Sequence, residues 1–280
     1  MPVRCSRARS EKSLGYGGID RVSDLEKFAA RQIKARDIFE IREIGKSAAY
    51  EFVRKHHYLG DAKFFSKISY GLFCGTELVG VATFSAPQGS EALKGWFGLP
   101  NNDDTVVELT RLCMLPSLNG TNATSFLLGG AIRRIKHHGI RAVITLATSD
   151  RHVGSIYQVC NFKYYGLTDP KMDFWSYETQ NKPRGMVKDL QGVWVEKPQK
   201  HRYAYIIDKR LKCLYAEQER PSLGQKVDYS CCHGTGIVHD NRFGVDYTCP
   251  ICTGHLYRIE DGKEIPPEMV RNQQAQTSLW

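Results

Sequence analysis

The sequence has no long apolar run, and this absence excludes the simplest class of membrane protein. A helix that crosses a bilayer needs about 18 consecutive apolar residues, and every candidate stretch here is broken by Arg, Lys or Gly. The N-terminal MPVRCSRARSEKS leads into no apolar core and no small-residue cleavage site, so it lacks the pattern of a secretory signal. We therefore expect a soluble, cytoplasmic protein with no membrane partner.

Internal repeats and low-complexity tracts are also missing, which argues against a solenoid or a disordered chain. Hydrophobic residues make up 41% of the 280 residues and charged residues 25%, as in ordinary globular proteins. Acidic residues are the scarcer charge: 39 Lys and Arg outnumber 30 Asp and Glu, giving a net charge of +9. This excess makes a polyanionic partner such as nucleic acid plausible.

Changes in composition along the chain predict four segments. Residues 1–36 are rich in Arg and Lys and form a basic arm, which is either a solubilising tail or a DNA-contacting segment. A Ser-x-x-Glu pattern from Ser23 predicts a short helix within this arm. The segments that follow are a main α/β domain, a small zinc-binding module and a flexible tail, at residues 37–215, 216–262 and 263–280.

The apolar pattern of the main domain alternates between strand and helix periods. DIFEIREI alternates like a strand, and KSAAYEFVRKHHYL places Ala49, Phe52 and Val53 on one helical face. A hairpin turning at Gly75 follows, then the strand VVELTRLCML, the helix SFLLGGAIRRIKHHG and the buried strand AVITLATS. This order predicts an α/β fold with a mixed central sheet flanked by helices.

Four cysteines crowd together near the C-terminus, where a reducing compartment favours metal ligation over disulfides. Cys249-Pro-Ile-Cys252 is a metal knuckle, and Cys232 lies seventeen residues before Cys249. Tetrahedral zinc is the expected ion, with Cys231, His233 or His239 as the fourth ligand. A site with four protein ligands has no open position, so we predict a structural role. The surrounding segment shows little apolar periodicity, which predicts that it builds no conventional core.

Five ordered motifs carry a resemblance to a known family. They are HHYLGD at 56–61, GVATFSAP at 80–87, ELTRLCMLP at 108–116, NATSFLLGGAIR at 122–133 and SDRHVGSIYQVCNFKYYG at 149–166. Together they resemble the Mom family of phage DNA-modification proteins over about residues 37–210, and the order of elements resembles that of the GNAT acyltransferases. The resemblance implies a transferase with a GNAT-like fold. It would add a methylcarbamoyl or related acyl-derived group to the exocyclic amine of adenine in double-stranded DNA, protecting a phage genome from restriction in the host cytoplasm.

The loop that holds coenzyme A in ordinary GNAT enzymes is absent. That loop reads Arg or Gln-x-x-Gly-x-Gly or Ala, whereas LNGTNATSF stands in its place with Gly120 and no basic residue. The sequence therefore argues against the usual acetyl-CoA site, and it leaves the small-molecule group donor unidentified. Asn122, Ala123 and Ser125 open the next helix and are predicted to bind that donor through side-chain and backbone donors. Simple N-capping is the alternative for the two polar residues.

Three residues are candidates for proton transfer from the weakly nucleophilic adenine amine. Asp150 follows the buried strand AVITLATS and is the predicted base, although it could instead cap a helix beginning near His152. His57 and Tyr58 end the first long helix and could position or deprotonate a base, or hold a metal. Helical phase does not choose between His56 and His57, and the family pattern favours His57.

Two further candidates concern charge on the donor. Arg111 lies in a strand that is otherwise predicted to be buried, so it needs a carboxylate or phosphate partner; an ion pair with Glu108 or another acid is the alternative to a substrate role. Tyr157 follows Asp150 by about two helical turns, and tyrosines of this helix in ordinary GNAT enzymes often protonate the leaving group.

Four aromatic residues are candidates for stacking a flipped base, because chemistry on a duplex base requires its extrusion. They are Trp96, Phe97, Phe174 and Trp175, and a place in the core is the alternative for each.

Two other functions stay open at this point. One is a conventional GNAT N-acetyltransferase that uses acetyl-CoA, which predicts tight binding of that cofactor. The other is a non-catalytic, zinc-containing DNA-binding protein, which predicts salt-sensitive binding without any change in the mass of the DNA.

Overall fold

Two compact units divide the chain, and each takes its residues from two stretches of the sequence. The first unit is Met1–Gln88 with Val107–Ile140, and the second is Gly89–Val106 with Arg141–Trp280. The computed structural model describes residues 21–29, 34–57, 64–89, 91–149, 152–183, 190–222, 232 and 235–267. The domain boundaries that the sequence predicts after residues 36, 215 and 262 stay predictions.

Helices and strands occupy most of the described residues. The helices are α1 (Arg21–Ala29), α2 (Ala35–Ile38), α3 (Lys46–His56), α4 (Ala92–Phe97), α5 (Ala123–Ile135), α6 (Ser155–Val159) and α7 (Pro250–Thr253). The strands are β1 (Phe39–Glu43), β2 (Ile68–Cys74), β3 (Glu77–Ser85), β4 (Val106–Met114), β5 (Ala142–Thr148), β6 (Lys163–Leu167), β7 (Lys171–Ser176), β8 (Gly192–Lys197), β9 (Lys200–Ile206), β10 (Ile237–Asp240), β11 (Val245–Thr248), β12 (Arg258–Glu260) and β13 (Lys263–Ile265). Short 3-10 turns lie at Pro116–Leu118 and Lys136–His138.

The first unit is built on the antiparallel strands β1, β2, β3 and β4, paired in that order. The hairpin between β2 and β3 turns at Gly75, as predicted, where φ is +61°. The predicted apolar face of α3 is confirmed, because Ala49, Phe52 and Val53 pack with Val81 into one buried cluster.

Helix α5 also lies against this sheet. Its Gly130 faces β1 so closely that an added Cβ would overlap the Ile41 side chain, so the glycine permits the close approach. The helix continues into the 3-10 turn and stops at Gly139, which has a φ of +76°. This end was predicted from the sequence, since a left-handed glycine commonly terminates a helix.

The second unit contains three antiparallel groups of strands. Strand β9 lies between β5 and β6, β7 pairs with β8, and β10 to β13 form a four-stranded meander. Strands β8 and β9 follow each other closely in the chain but pair with different strands, β8 with β7 and β9 with β5 and β6. The apolar core around β5 includes Trp96, Ile144 and Tyr165.

The Cys-rich segment does have a core, so the prediction that it builds none is wrong. Tyr247 and Leu256 are buried together with Tyr177, Val193 and Val195, which belong to the β7–β8 region. The Tyr177 hydroxyl also donates to the backbone oxygen of Ile265 over 2.9 Å. Because an earlier stretch of the chain supplies half of this core, the periodicity of the segment itself could not reveal it.

The predicted fold class is confirmed: an α/β protein with a central mixed sheet flanked by helices and a small Cys-rich C-terminal module. The structure differs from the sequence prediction in where two elements begin. Asp37 and Ile38 form a helical turn before β1 rather than its start, and α1 begins at Arg21, before Ser23. None of the described helices is long and apolar enough to cross a membrane.

Candidate active site and cysteine cluster

A β-bulge interrupts strand β4 beside one candidate residue. Thr83 faces Arg111 and Phe84 faces Leu109, so Thr110 is an extra residue in the ladder. The Thr110 Oγ1 lies 2.9 Å from the Thr83 Oγ1 and 3.1 Å from the Thr83 carbonyl oxygen. These contacts fix the bulge, and bulges commonly re-aim the neighbouring side chain. No pattern in the sequence marks this bulge.

Arg111 is the residue that follows the bulge. Its Nη1 donates to the Thr110 carbonyl oxygen over 2.7 Å, and its guanidinium lies 5.2 Å from the centre of the Phe64 ring. The Nε is buried and has no hydrogen-bond partner among the described residues. Among the described residues no ion pair joins Arg111 to Glu108 or to another acid, and Glu108 accepts from the Gln88 amide over 2.7 Å.

We expect Arg111→Met to lower kcat/KM for the transfer that the family resemblance implies by roughly 10- to 100-fold, since charge-assisted hydrogen bonds to an anionic group are lost. The melting temperature should change little, because Arg111 forms no ion pair with the acids that the structure describes. Thermal unfolding and steady-state kinetics measure the two effects separately. A destabilisation of about 3–5 kcal/mol, the size expected for a broken buried ion pair, would show that Arg111 is structural.

His57 lies at the end of α3, where its backbone N–H donates to the Val53 carbonyl oxygen over 2.8 Å. Burial, and then the positive charge of Arg111, lower the pKa of His57 from 6.5 to about 4. The imidazole is therefore neutral at pH 7. The neighbouring His56 ring instead packs against Phe52, with centroids 4.7 Å apart. Tyr58 lies outside the described residues.

The lowered pKa of His57 predicts a pH effect on stability. Between pH 6.5 and about 4 the unfolded chain takes up a proton at His57 that the folded chain does not. The stabilisation is therefore complete above pH 6.5 and is lost as the pH falls towards 4. His57→Gln should flatten the decline of melting temperature over this interval, with His56→Gln as the matched control. Identical pH curves for wild type and His57→Gln would contradict this prediction.

The predicted donor-binding residues lie together at the start of α5. Asn122 occupies the N-cap position without a capping hydrogen bond from its side chain, and the Ala123 amide donates to the Thr121 Oγ1 over 3.3 Å. The Ser125 hydroxyl donates to the Asn122 carbonyl oxygen over 2.9 Å. Asn122 is therefore the N-cap by position, and its side chain forms no capping hydrogen bond.

In the second unit, the carboxyl end of β5 leads through Ser149 to Asp150, which lies outside the described residues. The alternative role for Asp150, capping a helix near His152, does not match the helix that forms: α6 begins at Ser155, and Gly154 is its N-cap. Tyr157 is buried at 9% exposure, and its ring packs against Phe162 and Tyr203.

His201 is a residue that the sequence analysis missed. It lies on β9 directly opposite Ala147 of β5, is 2% exposed, and shares a 2.9 Å hydrogen bond with the Tyr164 hydroxyl through its Nδ1. Burial, and then the nearby His152, lower the pKa of His201 below its usual value. One histidine in the strand KHRYAYI carries no periodic signal, so only the pairing of β5 with β9 reveals its place.

The aromatic candidates for base stacking are mostly core residues. Trp96, Phe97 and Phe174 are 5%, 7% and 5% exposed, which supports the alternative of a packing role. Trp175 is half-buried and contacts the cluster around Tyr247. Stacking by Trp96 and Phe97 would require opening the hydrophobic core, so this hypothesis is wrong for these two residues.

Three of the predicted zinc ligands meet at one point. The sulfurs of Cys232, Cys249 and Cys252 lie within 4.8 Å of one another, and those of Cys232 and Cys252 are 3.5 Å apart. This separation excludes a disulfide and is close to the roughly 3.8 Å between sulfurs around tetrahedral zinc with Zn–S bonds near 2.3 Å. The Gly236 amide donates to the Cys232 sulfur over 3.2 Å, which suits a thiolate. The donor set therefore fits zinc.

The structure excludes one of the three candidates for the fourth zinc ligand. His239 is described but does not join the cluster; its Nδ1 lies 2.6 Å from an Asp246 carboxylate oxygen instead. Cys231 and His233, the other two candidates, lie outside the described residues. Cys249 is fully buried. The Cys252 amide donates to the Cys249 carbonyl oxygen over 3.1 Å, and this hydrogen bond closes the turn that was predicted as the metal knuckle. Zinc held here would link the turn at Cys232 to α7.

Comparison with known proteins gives one family and several structural neighbours. The family model described as the Mom protein family matches residues 38–222. Among curated proteins, none matches the chain.

The solved structures it resembles are acetyltransferases. An IAA acetyltransferase from Bacillus cereus is 15% identical with a TM-score of 0.39, covering 60% of this chain and 99% of its own. A Bacillus subtilis acetyltransferase in complex with CoA is 17% identical with a TM-score of 0.37, covering 60% and 97%. The Escherichia coli ribosomal-protein-S18-alanine N-acetyltransferase is 10% identical with a TM-score of 0.38, covering 61% and 95%.

Proposed function

The chain belongs to the Mom protein family, and from this premise we propose that it is a transferase that modifies adenine in DNA. The group transferred is methylcarbamoyl or a related acyl-derived group, the acceptor is the exocyclic amine in double-stranded DNA, and the consequence is protection of a phage genome from restriction. The observation that carries this proposal is the extent of the family match, because residues 38–222 include each candidate catalytic and donor-binding position.

The acceptor sets the first chemical requirement. The lone pair of the adenine amine is delocalised into the ring, so a base must take its proton as the new bond forms. Asp150 is the proposed base. His57 supports the same step, because its depressed pKa keeps a neutral imidazole that can accept a proton or orient the purine. Tyr58, next in the chain, is proposed to act with it.

The donor sets the second requirement, which is stabilisation of charge on the departing group. Arg111 is suited to this task, since its buried Nε makes no hydrogen bond to a described residue and its guanidinium is fixed by Thr110 and Phe64. The start of α5, with Asn122 and Ser125, would hold the anionic part of the donor at a helix N-terminus. Tyr157 is proposed as the acid that protonates the leaving group.

DNA as the partner agrees with the net charge of +9 and with the basic segment 1–36. Residues 1–20 of that segment lie outside the described residues, so its part in binding stays a prediction. Zinc on the cysteine cluster would hold the C-terminal module together and supply no chemistry to the transfer, because its ligands are expected to fill all four positions.

The test is protection of plasmid DNA. Plasmid from bacteria that produce the protein should resist restriction enzymes whose sites contain adenine, and should stay sensitive to enzymes whose sites contain only guanine and cytosine. Plasmid from cells that produce Arg111→Met should be cut at both kinds of site. If wild-type and variant plasmids are cut alike, the modification function fails in that host.

The two rival functions make different predictions. A conventional N-acetyltransferase should bind acetyl-CoA with micromolar affinity in calorimetry, despite the missing loop. A non-catalytic DNA-binding protein should bind duplex DNA with strong salt dependence and leave every nucleoside unchanged in mass.

A further inference from the structure

The C-terminal end of α5 and the 3-10 turn after it carry a dense group of basic side chains. The opposite face of the helix is buried through Leu128, Ile132 and Ile135, so the basic side chains point to the surface. Five of the six residues from 133 to 138 are basic, and all five are exposed: Arg133, Arg134, Lys136, His137 and His138. We call this group the basic end of α5.

Two of these side chains have partners within the first unit. The Arg134 Nη1 donates to the Gly130 carbonyl oxygen over 3.2 Å, and the His138 Nε2 lies 3.1 Å from a Glu43 carboxylate oxygen. The side chains of Arg133 and Lys136 form no hydrogen bond or ion pair with any residue that the structure describes. A cation near a helix C-terminus does offset the helix dipole, but these two charges lack an acidic counterpart in the described part of the chain.

The strand register places the basic end of α5 at the same edge of the sheet as Arg111. The Ile44 amide, directly after β1, donates to the Ser69 carbonyl oxygen over 2.9 Å. Ser69 lies in the same cross-strand row as Arg111 of β4. Glu43, the partner of His138, is the residue before Ile44. The basic end of α5 and Arg111 are therefore level with each other along the strands of the first unit.

These two features lie on opposite faces of the sheet. Helix α5 packs on Ile41 at Gly130, and Ile41 and Ile44 point to opposite faces because side chains alternate along a strand. Ile44 packs with α3, at whose end burial and the charge of Arg111 lower the pKa of His57. Three strand spacings of about 4.8 Å separate β1 from β4, so the two features are roughly 14 Å apart across the sheet.

This separation matches a short stretch of duplex DNA. Phosphates of one strand advance by about 3.4 Å along the helix axis, so 14 Å corresponds to roughly four phosphate positions. A duplex that crosses this edge of the sheet, with its reacting adenine beside Arg111, has the phosphates of its flank over the basic end of α5.

We propose that the basic end of α5 binds the phosphate backbone of the DNA substrate, on one flank of the reacting adenine. This inference rests on the proposed function, which makes DNA the polyanion. Arg133 and Lys136 are three residues apart in a helical segment, so their side chains lie on one face and contact neighbouring phosphates. Phosphate contacts of this kind fix the position of a duplex on a protein without reading its sequence.

The salt dependence of DNA binding tests the proposal, because each neutralised phosphate contributes about 0.9 to the slope of log affinity against log salt concentration. We expect Arg133→Gln combined with Lys136→Gln to make the slope shallower by roughly 2, and to weaken binding to duplexes of different sequence alike. Fluorescence anisotropy of a labelled duplex with the full-length protein, without any group donor, measures the slope between about 50 and about 200 mM salt.

The matched control is Lys209→Gln combined with Lys212→Gln. Both lysines are exposed and form no ion pair with a described residue, and the pair has the same spacing and loses the same net charge. This control should keep the wild-type slope. Arg133→Lys combined with Lys136→Arg keeps both charges on α5 and should also bind like the wild type, which separates a loss of charge from a disturbed helix.

Steady-state kinetics separate DNA binding from a catalytic defect. The Arg133 and Lys136 double glutamine variant should raise KM for duplex DNA by roughly 10- to 100-fold at about 100 mM salt. Its kcat should stay close to the wild-type value, because the lost contacts hold the substrate and the transition state equally.

Several outcomes overturn the proposal. One is an unchanged slope in the double glutamine variant, and another is an equal decrease in the Lys209 and Lys212 control, which would show a response to net charge alone. A loss of binding in the charge-preserving variant, or a wild-type protein that binds no duplex, would also overturn it. A wild-type protein that binds DNA but leaves deoxyadenosine unchanged would overturn the proposed function, while the slopes would still decide whether the basic end of α5 binds phosphate.

Discussion

Replacing Asp150 with asparagine is expected to lower the rate of adenine modification by roughly 100-fold or more, the range that a general base contributes. Asparagine keeps the size and polarity of the side chain but cannot accept a proton from the adenine amine. The fraction of modified deoxyadenosine in plasmid DNA, measured at equal protein levels, gives the effect. The melting temperature of the variant should stay close to that of the wild type, because asparagine caps a helix about as well as aspartate does.

Asp169→Asn is the matched control for this change. Asp169 belongs to the same unit, its side chain is 89% exposed, and its one ion pair with Arg202 is long at 3.7 Å. We expect wild-type modification from this control. Wild-type modification from Asp150→Asn as well would remove Asp150 from the mechanism and leave His57 as the candidate base.

Cys249→Ser is expected to have the largest effect on stability. Cys249 is fully buried at the centre of the cysteine cluster, and structural zinc contributes roughly 10–16 kcal/mol to the folding of zinc-finger peptides. Loss of one ligand should therefore lower the zinc content and destabilise the protein by several kcal/mol. Because the module shares its core with β7 and β8, hydrogen exchange should lose protection in those two strands before it does in β5 and β9.

The control for this variant is Cys160→Ser, which changes a partly buried cysteine outside the cluster. Zinc content by atomic emission and the unfolding midpoint should both stay at the wild-type value. Full zinc occupancy in Cys249→Ser would refute the ligand set. Lost zinc with unchanged exchange in β7 and β8 would refute the link between the cluster and that core.

The sequence predicts well those features that local pattern determines. The spacing of Ala49, Phe52 and Val53 is a helical face whatever it packs against, and a glycine after a basic helical turn ends a helix at Gly139 for local steric reasons. The cysteine knuckle could also be predicted from the sequence, because a metal restricts the spacing of its ligands. These elements follow from interactions within about ten residues of chain.

Features that depend on pairing between distant parts of the chain could not be predicted from the sequence. The bulge at Thr110 is defined by the pairing of β4 with β3, and the position of His201 is defined by the pairing of β9 with β5. The core of the C-terminal module joins Tyr247 to Val193, more than fifty residues earlier in the chain. Nothing in either segment alone distinguishes these residues from ordinary strand positions.

Arg111 shows how structure changes the weight of an alternative. From sequence, an ion pair with Glu108 was as reasonable as a substrate role, because both explain a guanidinium in a buried strand. Among the described residues, Glu108 accepts from the Gln88 amide, and Arg111 contacts the Thr110 carbonyl oxygen and the Phe64 ring but no acid. A cation in that condition is suited to an anionic ligand.

Mass spectrometry of nucleosides tests the central claim most directly. DNA from bacteria that produce the wild-type protein would be digested to nucleosides and compared with DNA from cells that produce Asp150→Asn. The account predicts a heavier deoxyadenosine species in the first sample and its loss from the second, with the other three nucleosides unchanged. Deoxyadenosine of unaltered mass in the wild-type sample, from cells that contain soluble protein, would contradict the claim that this chain modifies adenine.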